Sequence, residues 1–156
     1  MYEKYGEPDG VTEKMVIWND AGPWKTTTVY KDPVPHNFPK PHKDVLEQTV
    51  NYEVPTDKID ELSAFDGSVF AKRTSGVLGT TCDKEPMNVL TLNLAHDIIV
   101  GKKDVAEARA SFGEIAKAFM QGKKHPYTQK LQFGTAKENA GDPGEAVINP
   151  GGSSQK

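Results

Sequence analysis

The sequence is poor in three things that usually announce a function: cysteine, arginine and long apolar runs. Cys82 is the sole cysteine, which excludes an internal disulfide and a cysteine-based zinc site. A lone thiol fits a reducing cytoplasm, the expected compartment. The first residues, Met1-Tyr2-Glu3-Lys4-Tyr5, lack the charged-then-apolar pattern of a secretory signal. Arg73 and Arg109 are the only arginines, so forked, bidentate phosphate readers are nearly absent and nucleic acid is not an expected partner. The longest stretch without a charge runs from Pro86 to His96, far short of the ~20 apolar residues of a membrane span. No membrane partner is expected.

Net charge is equally scarce where it would matter. The total of −3 sits in the two ends: residues 1–10 contribute −2 and residues 134–156 contribute −1, leaving 16 acidic and 16 basic side chains in residues 11–133. A domain balanced at zero has little electrostatic resistance to self-association. Residues 134–156 also lack any aromatic, and a segment that poor in apolar surface cannot offset the entropy of ordering it. The expected organisation is therefore a flexible acidic N-terminus over 1–10, a single α+β domain over 11–133, and a disordered tail over 134–156.

Within the domain, Met15–Trp18 and Trp24–Lys31 read as a hairpin around the turn formers Asn19 to Pro23. Residues 32–44 are a proline-rich segment, with Pro33, Pro35, Pro39 and Pro41 excluding helix and central strand and predicting an extended polyproline-like path pinned by Phe38. Val45–Val54 alternates as a half-buried central strand. A short helix follows over Asp57–Phe65, capped by Thr56, and then a second hairpin turning at Ser75-Gly76.

The period then changes. Asp83 is the expected N-cap of a helix running to Val100 and apolar on most sides, in which Met87, Leu90, Leu94 and Ile98 recur at spacings of three and four. Asp104 and Glu107 form a capping-box pair at the start of the next helix. The short connection predicts an antiparallel helical hairpin, followed by an extended stretch from His125 to Phe133. The architecture expected is α+β: an antiparallel sheet of about five strands, with the short helix and the helical hairpin packed on one face.

Four groups of residues invite a chemical reading. Asn93, His96 and Asp97 form a polar i, i+3, i+4 cluster on the otherwise apolar helix. With Arg73 they are the expected ligand-binding residues, lining a pocket between sheet and helices. The competing expectation is a histidine that ties the helix to a neighbouring backbone. The His96-Asp97 dipeptide resembles one element of the metal phosphohydrolases, but the further His and Asp ligands on other helices are missing. His36 and His42, flanked by Asp32 and Asp44, could bind a transition metal if their loop converged. An extended path instead holds them ~19 Å apart at ~3.1 Å per residue. Cys82 precedes a helix N-terminus, a position that activates thiols, but Asp83 and Glu85 beside it oppose a thiolate. Trp18, Trp24 and Tyr30 read either as an exposed stacking platform or as core.

No catalytic residue, metal centre or cofactor follows from these patterns. The expected function is a non-catalytic binding or accessory protein acting through a protein partner or a homo-oligomer. The alternative is a small enzyme or ligand- or metal-binding domain with a pocket around His96 and Asp97.

Overall fold

A computed structural model describes residues 1–136, 138, 141–148 and 150. Six strands form one antiparallel sheet: β1 (Gly10–Val11), β2 (Met15–Asn19), β3 (Thr26–His36), β4 (His42–Asn51), β5 (Phe70–Lys72) and β6 (Val77–Cys82), in the spatial order β1-β2-β3-β4-β6-β5. Five helices accompany it: α1 (Tyr2–Tyr5), α2 (Ile59–Phe65), α3 (Glu85–Ile99), α4 (Val105–Met120) and α5 (Pro126–Gln129). The α+β class and the paired C-terminal helices are as the sequence predicts, with one strand more. No helix among the described residues is long and apolar enough to cross a membrane.

The added strand is β1, paired with β2, while the proline segment lengthens β3 and β4. Its backbone is extended, as four prolines require, but it is not a free polyproline path. β3 runs through Pro33 and Pro35 to His36, and the chain turns back over Asn37 to Pro41 so that His36 pairs with His42 and Val34 with Asp44. The prolines are tolerated because β2 reaches only to Tyr30, so beyond it β3 has a neighbour on one side alone. The ladder is irregular between Val29 and Val34, which accommodates the residues that do not pair. The turn is fastened by Phe38, whose ring centroid lies 5.0 Å from that of Phe112 and 6.1 Å from that of Phe65. The Arg109 guanidinium stacks 4.0 Å above it and donates to the Phe65 carbonyl at 2.7 Å.

The core lies where α3 crosses β4 and β6. Leu78, Leu90, Leu92, Leu94 and Val50 are wholly buried, and each such side chain contributes about 1.5–3 kcal/mol through lost apolar exposure. α3 is buried on nearly every face, as its sequence predicts. The reciprocal capping box of Asp104 and Glu107 starts α4, whose stripe of Ala108, Phe112 and Ala116 covers α3 and α2. Gly79 in β6 has a packing reason: a Cβ there would lie 2.4 Å from the Phe70 ring and 2.9 Å from Thr49 Cγ2.

One open alternative is decided and two kinds of local expectation are corrected. Trp18 and Trp24 are buried core, so they form no exposed platform. α3 starts without a side-chain cap from Asp83, and the turn Thr56–Lys58 starts without one from Thr56. The stretch from His125 is not wholly extended: Pro126 occupies the first turn of α5, and His125 Nδ1 accepts from the Tyr127 N–H at 3.0 Å, a helix start written in the sequence as His-Pro.

At the chain's start, α1 is clasped by Glu85, which accepts from Lys4 Nζ at 3.0 Å, from Trp24 Nε1 at 2.8 Å and from the Tyr5 hydroxyl. Beyond α5 the element order ends. The tail expected over 134–156 falls in part on residues 137, 139, 140, 149 and 151–156, outside the described residues.

Candidate metal centre

Strand register decides which side chains meet at the end of the sheet. Residues opposite each other in a ladder share a face, as do alternate residues along a strand. His42 and Asp44 therefore share the face of Leu46, and their partners place His36 and Cys82 on it too: His36 opposite His42, Cys82 opposite Leu46. The hairpin thus brings together two histidines that an extended chain would hold far apart. Their ring centroids are 4.8 Å from each other. One ligand atom each from His36, His42 and Asp44 lie within 4.8 Å of one another.

The hydrogen bonds around this set fix how each group points. His42 Nδ1 is 2.9 Å from the Lys40 carbonyl, an acceptor only, so this nitrogen carries the proton. His42 Nε2, 2.9 Å from Asp44 Oδ1, then presents a lone pair to a carboxylate unless a cation or second proton lies between them. His36 Nδ1 stands 3.3 Å from Asp44 Oδ1, while its Nε2 faces Asp66 Oδ1 at 3.5 Å. Asp44 Oδ2 accepts the Ser68 hydroxyl. Each of the three candidate ligands has an outer partner orienting it: Lys40 O behind His42, Asp66 behind His36 and Ser68 behind Asp44. That arrangement is typical of metal-binding histidines and carboxylates.

Asp66 and Ser68 come from the loop that leaves α2, where the Ser68 N–H donates to Asp66 Oδ1 at 2.8 Å. Burial raises the Asp66 carboxyl above its ordinary value, opposed by the Ser68 N–H and the nearby histidines. Burial likewise pushes the Cys82 thiol up to about 12, so in the metal-free protein it is a protonated thiol at neutral pH. Its Sγ lies 3.6 Å from His42 Nε2 and 3.4 Å from Asp83 Oδ1. On the outer side, Pro39, Lys40, His42 and Cys82 border a small cleft of about 60 Å³ closed by Met87 and Phe119.

The residues singled out on α3 are placed differently. Asn93 Nδ2 donates to the carbonyls of Tyr127 and Lys130 at 3.1 and 3.0 Å, and its Oδ1 accepts from the Gln132 N–H at 2.7 Å. Asp97 accepts from the Tyr127 hydroxyl at 2.8 Å and from Lys103 at 3.2 Å. His96 Nδ1 lies 2.7 Å from the Tyr52 hydroxyl, with its ring stacked on Phe133 at 4.7 Å. All three hold the chain beyond α4 against the domain. The large groove on this side is lined by Leu94, Lys102, Lys103, His125 and Tyr127, and by none of the three. Arg73, at the β5–β6 turn, borders a separate depression with Glu53, Val54 and Pro55.

The sequence carried a signal for part of the metal set, the His-x-Asp of His42 and Asp44 on one strand face. Asp66 and Ser68, supplied by a distant loop, left none. Comparison of the chain with protein-family models, with curated proteins and with solved structures finds no match.

Proposed function

We propose that this is a small metal-binding protein whose centre is built from His36, His42 and Asp44. One observation carries the reading: His42 Nε2, its other nitrogen committed to Lys40 O, faces the Asp44 carboxylate at 2.9 Å. A neutral imidazole nitrogen and a carboxylate at that distance need a shared positive charge; a proton on Nε2 supplies it to that pair alone, whereas a divalent cation supplies it to both histidines and the carboxylate together. Two imidazoles with one carboxylate suit zinc, iron, nickel or copper. Magnesium and calcium, which take oxygen ligands, fit poorly. Zinc–nitrogen bonds of about 2.0–2.1 Å require donors within about 4.2 Å of each other, so the set closes slightly on loading.

The test is native mass spectrometry of metal-stripped protein mixed with one equivalent of zinc. A single zinc adduct in the wild type, absent in the His42→Ala variant, is the expected result. An adduct that survives His42→Ala would count against the site. Non-catalytic work through a protein partner or a second copy is a compatible second reading, supported by the zero charge of residues 11–133. Light scattering that finds only monomer at high concentration would oppose its self-associating form.

A further inference from the structure

Resting on that metal-binding reading, we infer that Cys82 is the fourth ligand, so that the centre is a closed His–His–Asp–Cys tetrahedron suited to zinc. His42 Nε2 faces two groups on its open side, Asp44 Oδ1 at 2.9 Å and Cys82 Sγ at 3.6 Å. In a tetrahedral zinc site with Zn–N of about 2.0–2.1 Å and Zn–S of about 2.3 Å, neighbouring nitrogen and sulfur ligands stand roughly 3.5–3.6 Å apart, and nitrogen and oxygen ligands roughly 3.3–3.4 Å. The Cys82–His42 spacing of 3.6 Å already has the first value and the His36–Asp44 spacing of 3.3 Å the second, while the His42–Asp44 contact of 2.9 Å has to widen on loading.

The other candidates for the fourth position are engaged otherwise, although Ser68 Oγ comes within 3.4 Å of His36 Nδ1. Asp66 meets His36 at Nε2, the nitrogen remote from Asp44, and so sits behind the ring as its orienting partner. Ser68 is occupied as a donor to Asp44. Asp83 is exposed and reaches the cluster only through the Cys82 thiol. Charge also favours this choice. Zn²⁺ bound by the Asp44 carboxylate, the Cys82 thiolate and two neutral imidazoles has a net charge of zero, the form best tolerated where Asp44 and Cys82 are buried. As the Zn–S bond forms, the Cys82 S–H bond breaks and its proton leaves to solvent, since a coordinating thiol is deprotonated by the metal. A site with four protein ligands keeps no position for an activated water, which makes it a structural or metal-carrying centre rather than a hydrolytic one.

The deciding experiment replaces zinc with Co²⁺ and records the absorption spectrum of the full chain. The expected wild-type spectrum has visible bands of tetrahedral cobalt together with an intense near-ultraviolet thiolate-to-cobalt band. Because Cys82 is the only cysteine, that band can have no other thiolate source. In Cys82→Ala the charge-transfer band disappears and zinc affinity falls by more than the roughly 10–100-fold typical of losing an outer partner. Visible cobalt bands without a thiolate band in the wild type would overturn Cys82 as a ligand and leave the three-residue centre standing. Absence of any cobalt spectrum, with no zinc binding, would overturn the metal-binding reading itself. The wild-type spectrum alone is decisive if Cys82→Ala does not fold.

Discussion

Two clusters in this molecule contain histidine and aspartate, and they differ in what their polar atoms face. At the end of the sheet, His36, His42 and Asp44 point at one another, imidazole nitrogens set against one carboxylate. On α3, Asn93, His96 and Asp97 meet partners of their own: two carbonyls, a backbone N–H and the Tyr127 hydroxyl from the chain that follows α4, with the Tyr52 hydroxyl and Lys103 from before it. The first arrangement converges on a point that a cation or a proton can occupy; the second closes its own hydrogen bonding. Residue type alone does not separate a site from a clasp. The direction in which the lone pairs converge does. Glu85 is a useful third case, a carboxylate that receives three donors and lacks nothing.

The comparison breaks most visibly if the two histidines are exchanged as targets. His42→Ala should abolish zinc binding in a calorimetric titration, whereas His96→Ala should leave stoichiometry and affinity unchanged. Equal loss in both variants would dissolve the distinction. Next in size is Asn93→Ala. It strips partners from two carbonyls and one N–H in a buried setting, at about 1–3 kcal/mol for each group left unsatisfied. A stability loss of about 3 kcal/mol is expected by urea denaturation, with faster amide exchange over residues 126–133 and unaltered zinc affinity.

Smaller effects sharpen the picture. Asp66→Asn removes the carboxylate behind His36 and should weaken zinc roughly 10–100-fold while the protein stays folded; an unchanged affinity would make Asp66 a bystander. The smallest effect concerns Glu85. Burial alone would raise its carboxyl, but the bonds from Tyr5, Trp24 and Lys4 outweigh burial and hold it below its ordinary value of 4.5. A depressed carboxyl stabilises fully above that ordinary value and loses its contribution as pH falls through the lower, folded value. The acid limb of the urea midpoint, measured below about pH 4.5, should therefore be flatter in Glu85→Gln than in the wild type. A parallel limb would mean that the clasp on α1 contributes nothing.

Much of the fold was legible because it rests on local periodicity. The two hairpins, the alternation of β4, the all-round apolar α3 and the Asp104–Glu107 box are all set by residues within a few positions of one another. The candidate centre was legible in its residues but not in their convergence, for a geometric reason. Four prolines predict extended backbone correctly, but they do not say that two extended arms turn back and pair, and that pairing alone turns a separation of ~19 Å along an extended path into direct opposition of His36 and His42. The single cysteine misled in a related way. It does rule out a site made of several cysteines, yet one thiol opposite Leu46 is enough to stand beside His42. Asp66 and Ser68 arrive from a loop after α2, and no spacing in the chain foretells their meeting with the hairpin.

Anomalous diffraction at the zinc edge, from crystals grown with one equivalent of zinc, would locate the metal itself. A single peak is predicted about 2.0–2.2 Å from one nitrogen each of His36 and His42 and from an Asp44 oxygen. A peak beside His96 and Asp97, or no peak with the His42–Asp44 contact unchanged, would contradict the metal-binding reading.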